Sequence, residues 1–118
     1  MVERVHDPAI IVTKAYDFAL WLLPKAEKFP RSYRFSVGDR LVACGLDLLL
    51  HLVDAAYLSD KREPLRQAVR GINCIRYLLR LSKDLKLLSV DSYSFAAERL
   101  EEIGRMAGGW QKSSLRAR

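Results

Sequence analysis

The most informative stretch of the chain is Asp39-Arg-Leu-Val-Ala-Cys-Gly-Leu-Asp-Leu-Leu-Leu-His-Leu-Val-Asp-Ala-Ala-Tyr-Leu58. Its apolar residues recur at the three- and four-residue spacing of an α-helix. Projected as a helix, Arg40, Asp47, His51 and Asp54 share a sector only about 60° wide, and nearly every other residue is Leu, Val, Ala, Cys, Gly or Tyr. A bundle helix needs an apolar face only somewhat wider than ~100°. The apolar surplus therefore predicts a helix that packs against its own bundle and also against another subunit.

Residues typical of helix starts divide the chain into segments. Asp7 and Pro8 have the order of an N-cap and a first helical position, which predicts a first helix over about residues 8–28. Ser36-x-x-Asp39 resembles a capping box and predicts a second helix over about residues 36–58. The stretch between these helices contains proline and serine and is predicted to be a linker.

Two further helices follow along the chain. Asp60-x-x-Glu63 opens a third helix, predicted over about residues 61–88. Ser89 is the predicted N-cap of a fourth helix over about residues 90–108, which Gly108-Gly109 is expected to end. No stretch alternates with the period of two that strands require. Four helices with two tight connections predict an all-α fold, an antiparallel up-down four-helix bundle.

Length and composition are those of one ordinary globular domain. The chain has 118 residues, of which 50% are hydrophobic and 29% charged, and this balance excludes wholesale disorder. We expect a single domain over residues 1–110 and a basic C-terminal tail over residues 111–118. The N-terminus lacks the basic-then-apolar order of a signal peptide, and charged residues or proline interrupt the apolar runs. We therefore expect a cytoplasmic protein without a membrane segment.

The predicted third helix carries much of the positive charge of a chain whose formal net charge is +6. Between Lys61 and Lys86 it has eight basic residues against only Glu63 and Asp84. Arginine suits bidentate phosphate contacts, and tyrosine among arginines suits stacking on an unpaired base. A solvated helix face usually mixes acidic and basic residues at four-residue spacing, and the predicted third helix does not. We therefore predict a surface for RNA or for an acidic protein, formed by Arg62, Arg66, Arg70, Arg76, Tyr77, Arg80 and Lys83.

Trp21 lies on the polar side of the predicted first helix, where a monomer would expose it. Two interpretations stay open from the sequence. In the first, lysine stems cover the indole; in the second, Trp21 is an anchor in a subunit interface. Combined with the apolar surplus of the second helix, the second interpretation predicts an oligomer interface that includes Trp21, Leu49 and Leu50.

No set of residues in the sequence predicts catalysis. Asp47, His51 and Asp54 share one helix face, but two carboxylates with one imidazole make a weak metal site, so local ion pairing is expected. Cys44 and Cys74 lack a short metal or redox spacing and are predicted to be small buried thiols. No cysteine–histidine pairing is suited to a nucleophile, and no glycine-rich phosphate loop follows a strand. We therefore predict a non-enzymatic protein that needs no cofactor or metal.

Four blocks of the chain resemble the accessory variability determinant proteins of diversity-generating retroelements. The blocks are Tyr16-Asp-Phe-Ala-Leu-Trp-Leu-Leu-Pro-Lys-Ala-Glu-Lys-Phe-Pro-Arg31, Tyr33-Arg-Phe-Ser-Val-Gly-Asp-Arg40, Arg76-Tyr-Leu-Leu-Arg-Leu-Ser-Lys-Asp-Leu-Lys86 and Glu101-Glu-Ile-Gly-Arg-Met-Ala-Gly-Gly-Trp110. The likeness extends from Tyr16 to Lys112 with similar spacing between the blocks. It is more specific than the general pattern of a helical bundle.

The resemblance implies a four-helix bundle that assembles into a homopentameric ring with a basic surface. It also implies a non-catalytic accessory protein that binds the retroelement reverse transcriptase and its template RNA, or an RNA/DNA hybrid, and supports mutagenic complementary-DNA synthesis. Four-helix proteins encoded in ribosomal-RNA intervening sequences have a similar fold. A ribosomal-RNA-binding or scaffold protein of that kind is therefore the alternative, and genomic context distinguishes the two.

Overall fold

Four long helices make up the computed structural model, which describes residues 8–116. Their bounds are α1 Pro8–Glu27, α2 Asp39–Tyr57, α3 Arg62–Asp84 and α4 Val90–Arg116. A short helical turn, Arg31–Tyr33, and a π-helical segment, Arg34–Gly38, connect α1 to α2. No strand occurs within residues 8–116. The predicted all-α class is confirmed, and the four helices are consistent with a four-helix bundle.

Each helix turns one apolar stripe inward, and the stripes meet in a common core. Leu22 of α1, Leu48 of α2, Ile75 of α3 and Leu100 of α4 are each at most 1% exposed. The helices pack in chain order, α1 on α2, α2 on α3 and α3 on α4, and α4 also contacts α1. Because short connections join consecutive neighbours, adjacent helices run in opposite directions.

The helix starts agree only in part with the predicted caps. The backbone N–H of Ser92 donates to Ser89 Oγ over 3.0 Å, so the predicted N-cap of α4 is confirmed. Asp60 Oδ1 accepts from the backbone N–H of Arg62 at the start of α3. The predicted capping box at Ser36 is wrong, because Ser36 lies inside the π-helical segment and its hydroxyl donates to the carbonyl of Tyr33. Asp7 lies outside the described residues.

The third helix ends at Asp84 rather than at residue 88. The backbone N–H of Leu87 donates to the carbonyl of Ser82, and that of Lys86 donates to the carbonyl of Lys83. Lys86 has a left-handed φ of 63°. These two bonds and the left-handed residue form a Schellman motif, which ends the helix without a glycine.

The fourth helix continues through Gly108 and Gly109 to Arg116, so the predicted helix end is wrong. Two glycines inside a helix cost about 1 kcal/mol each relative to alanine. Trp110 offsets this cost, because it is only 5% exposed and belongs to the core, and burial of a large apolar side chain stabilises by about 1.5–3 kcal/mol. Residues 111–116 of the predicted tail are therefore helical.

None of the helices within residues 8–116 combines the length and the apolar character that crossing a membrane requires.

Candidate nucleic-acid interface

The predicted binding residues of α3 lie on the side of that helix away from the core. Leu65, Ile72 and Leu79 point inward and are at most 2% exposed. The opposite face carries the residues that we call the basic stripe: Arg62, Arg66, Arg70, Arg76, Tyr77, Arg80 and Lys83. All of them are exposed except Lys83, which is half-buried. The helix therefore brings the predicted set together along one side of the molecule.

At the N-terminal end of the basic stripe, two arginines are held by carboxylates of their own segment. Arg62 Nη2 lies 2.9 Å from Asp60 Oδ2, and Arg66 Nη2 lies 2.8 Å from Glu63 Oε2. In each pair Nε binds the second oxygen, so both contacts are bidentate. Hydrogen bonds from Arg66 and Gln67 hold the pKa of Glu63 below its ordinary value.

Three more cations of the stripe also have carboxylate partners. Arg76 Nη2 lies 3.4 Å from Glu101 Oε1 of α4, and its Nη1 donates to Asn73 Oδ1 over 2.6 Å. Asp84 is 4.0 Å from Arg80 and 3.6 Å from Lys83. The prediction of unopposed like charges along this face is therefore wrong, because four nearby carboxylates compensate most of them.

Arg70 and Tyr77 are the members of the stripe that have no partner within residues 8–116. They are seven residues apart, about two helical turns, and so lie on the same side of α3. The Tyr77 side chain is 68% exposed. The ion-paired arginines remain available as well, because an exposed ion pair stabilises by only about 0–1 kcal/mol.

The predicted interface residues occupy three different environments. Trp21 is half-buried between α1 and α4, with its ring centroid 5.3 Å from that of Phe95 and Lys25 Nζ 5.5 Å above it. Lysine therefore does cover part of the indole, as one of the two interpretations held. Leu49 packs against the core, whereas Leu50 is 56% exposed.

The apolar surplus of α2 lies on its outer face. Leu46, Leu50 and Tyr57 are exposed there at helical spacing, and Tyr57 is 86% exposed. We call these three residues the α2 outer face. Leu46 and Tyr57 were not among the predicted interface residues, although their spacing from Leu50, four residues before and seven after, is that of one helix face.

The remaining candidates form no reactive site within the described residues. No group of potential metal ligands occurs there, and the expected ion pairs of His51 with Asp47 and Asp54 are absent from residues 8–116. Burial, and then the neighbouring Cys74, raises the pKa of the half-buried Cys44 thiol. Cys74 is exposed, so the prediction that both thiols are buried is wrong for this residue.

Comparison with known proteins identifies a fold relative and a family. A crystal structure of a protein of unknown function from the S23 ribosomal protein family of Bacteroides thetaiotaomicron superposes with a TM-score of 0.82 at 16% sequence identity. The match covers 89% of this chain and 97% of that chain. At this identity the likeness shows the fold alone. A search among curated proteins finds no match. The model of the bAvd-like family matches residues 9–114, in agreement with the resemblance of the four blocks, and the chain therefore belongs to the bAvd-like family.

Proposed function

We propose that this protein is a non-catalytic accessory protein of a diversity-generating retroelement. In this role it binds the reverse transcriptase and the template RNA, or an RNA/DNA hybrid, in the cytoplasm and supports mutagenic complementary-DNA synthesis. The observation that carries the proposal is the family match over residues 9–114, together with a basic stripe on the solvent side of α3.

The chemistry of the stripe supports RNA as a ligand. The guanidinium groups of Arg62 and Arg66 already engage carboxylates in the bidentate geometry that phosphate also accepts. Arg70 has no partner to give up within residues 8–116. The exposed ring of Tyr77 is available to stack on an unpaired base. An RNA single strand that follows α3 would meet a row of cations with one aromatic ring, Tyr77, between Arg76 and Arg80.

We further propose that the protein works as a homo-oligomer, with five subunits in a ring as the resemblance implies. The support from this chain is the α2 outer face, where Leu46, Leu50 and Tyr57 expose apolar surface that no part of residues 8–116 covers. A ring would repeat the basic stripe once per subunit. Repetition strengthens binding to a long RNA, because each further contact forms at a high effective concentration.

The test is a paired measurement of RNA binding and reverse-transcriptase binding. Wild type is compared with Arg66→Glu/Arg70→Glu and with a control, Arg105→Glu/Lys112→Glu, which makes the same charge change on α4. We expect the α3 variant to lose binding to at least one partner, the control to bind both partners as wild type does, and the oligomeric state of both variants to stay unchanged. Loss of both partners means that they share the stripe or that RNA bridges them. Unchanged binding of both partners would overturn the assignment of the stripe.

The position of the gene distinguishes this function from the alternative, a protein associated with a ribosomal-RNA intervening sequence. A reverse-transcriptase gene with paired template and variable repeats beside this gene supports the retroelement role. A position inside a ribosomal-RNA gene would contradict it.

A further inference from the structure

A second group of cations lies outside the basic stripe, in the segment that connects α1 to α2 and in the first turn of α2. Lys28, Arg31, Arg34 and Arg40 are all exposed, and Asp39 is the only acidic residue between Lys28 and Arg40. None of the four forms an ion pair with any residue of the described part of the chain. Most cations of the basic stripe are paired, so these four are less compensated. Together with Phe35 we call them the connection cluster.

Phe35 gives this cluster an exposed aromatic ring. Its side chain is 63% exposed, and the Arg34 guanidinium carbon lies 4.9 Å from the ring centroid. A lone exposed apolar residue needs no explanation. An exposed ring with a guanidinium stacked on it, between further unpaired cations, is the combination that binds unpaired nucleotides. In sites of this kind the ring stacks on a base while the cations contact the phosphates on either side.

The backbone that carries the cluster is held in place by core contacts at both of its ends. Phe29 is 5% exposed and belongs to the core, which fixes the start of the segment. Gly38 is buried at its other end, where a Cβ would lie 3.3 Å from the carbonyl oxygen of Ala26. Between them the backbone N–H groups of Tyr33 and Arg34 both donate to the carbonyl of Pro30. Because the backbone is fixed, little entropy is lost when a ligand contacts Arg34 and Phe35.

The direction of the helices places the cluster at the same end of the bundle as the C-terminal end of the basic stripe. The end of α1 and the start of α2 lie at the same end of the antiparallel bundle as the end of α3. That end of α3 carries Arg80 and Lys83. A single strand that follows α3 therefore leaves the stripe at the end of the bundle where the connection cluster lies.

We propose that the connection cluster is a binding site for single-stranded nucleic acid, in which a base stacks on Phe35 and Arg31 and Arg34 contact the adjacent phosphates. This inference rests on the proposed function, because it assigns a second contact to the same RNA. An acidic protein surface would need an apolar side chain beside its carboxylates to use the exposed ring, whereas every nucleotide carries both a phosphate and a base. The chemistry of the cluster therefore favours a ligand that has both phosphates and bases.

The test measures fluorescence anisotropy with two labelled probes of equal length, an oligoadenylate and an abasic oligomer with the same phosphates. The variants are Phe35→Ala, Phe35→Trp and Arg31→Ala/Arg34→Ala, and Arg105→Ala/Lys112→Ala is the control for charge. We expect Phe35→Ala to bind oligoadenylate at least roughly five-fold more weakly than wild type and to bind the abasic probe with unchanged affinity. Phe35→Trp should keep the wild-type affinity for both probes. Arg31→Ala/Arg34→Ala weakens both probes and lowers the log–log salt slope by about 0.7 for each lost phosphate contact.

Several outcomes would overturn the inference. If wild type binds but the Phe35 and Arg31/Arg34 variants bind equally well, the cluster is not a site, and the proposed function still stands on α3. If Phe35→Ala weakens both probes equally, the ring does not stack on bases. If polyglutamate competes as strongly as oligoadenylate, the cluster suits an acidic protein instead. If wild type binds neither probe, the proposed RNA-binding function fails with it.

Discussion

Glu63 holds Arg66 in a bidentate ion pair on the exposed face of α3, with Nε 3.0 Å from Oε1 and Nη2 2.8 Å from Oε2. Gln67 Nε2 donates to the same carboxylate over 2.8 Å. A phosphate that approaches Arg66 therefore meets a negative charge in contact with the guanidinium. The carboxylates of the basic stripe therefore oppose its affinity for an anion.

Removal of this carboxylate should strengthen RNA binding. Glu63→Gln leaves a side chain of the same shape but frees Arg66 and removes one repelling charge. Because exposed ion pairs are weak, we expect an increase in affinity of only up to about five-fold at low salt. The measurement is a titration with single-stranded RNA at two salt concentrations. Glu98→Gln on α4 removes the same charge away from the stripe and should have little effect, and equal gains in the two variants would contradict the local mechanism.

The same contact should be visible in the titration of Glu63. Hydrogen bonds to its charged form lower its pKa in the folded state. The stabilisation from this contact is therefore present above the unfolded-state pKa and is lost as the pH falls through the folded-state pKa. Carboxyl NMR should give a pKa for Glu63 below its ordinary value, and Arg66→Ala should raise it. A Glu63 pKa that does not respond to Arg66→Ala would show that the ion pair does not persist in solution.

The periodicity of the sequence was sufficient to predict four helices, their inward faces and the cap at Ser89, because these are local properties. The end of α4 was not predictable in this way. Gly108-Gly109 is a strong local stop signal, but tertiary burial of Trp110 outweighs it, and only the packed bundle shows where that indole lies.

The candidate site shows the same division between local and tertiary information. The pairs of Arg62 with Asp60 and of Arg66 with Glu63 are within three residues and were visible as spacings in the sequence. The partner of Arg76 is on another helix and required the packing of α3 against α4. Similarly, the apolar surplus of α2 predicted unburied leucines, but only the position of the core separates Leu49 from Leu50.

Two glycine-to-alanine changes should shift stability in opposite directions. An added Cβ at Gly108 meets nothing within 4 Å, so Gly108→Ala should stabilise by about 0.5–1 kcal/mol through helix propensity. At Gly45 the same Cβ would lie 3.0 Å from Leu22 Cδ2, and Leu22 is 1% exposed. Overpacking of this kind costs about 1–3 kcal/mol, more than the propensity gain, so Gly45→Ala should destabilise.

Urea unfolding at one protein concentration, followed by circular dichroism, measures both effects. A loss of stability in Gly108→Ala would mean that another chain or segment approaches this glycine closely. Equal gains in both variants would mean that Leu22 moves aside at no cost.

A charged residue placed on α2 should separate assembly from folding. Leu50 is 56% exposed and Leu52 is 0% exposed, although they are two residues apart on the same helix. Leu50→Glu puts a charge on the α2 outer face, where it should disrupt contact between subunits and leave the bundle folded. Leu52→Glu puts an unpaired charge in the core, which costs several kcal/mol and should unfold the chain. Ser94→Glu, on the exposed side of α4, is the control for added charge.

Light scattering measures the mass of the assembly, and circular dichroism of the same samples measures whether the helices are folded. Wild type at micromolar concentration should have a mass several times the 13.5 kDa of one chain, and so should Ser94→Glu. Leu50→Glu should fall toward 13.5 kDa with its helical signal retained, whereas Leu52→Glu should lose that signal. Monomeric wild type would refute the oligomer itself. If Leu50→Glu still assembles, the oligomer exists but its interface does not include the α2 outer face, because a carboxylate cannot be buried there without a partner.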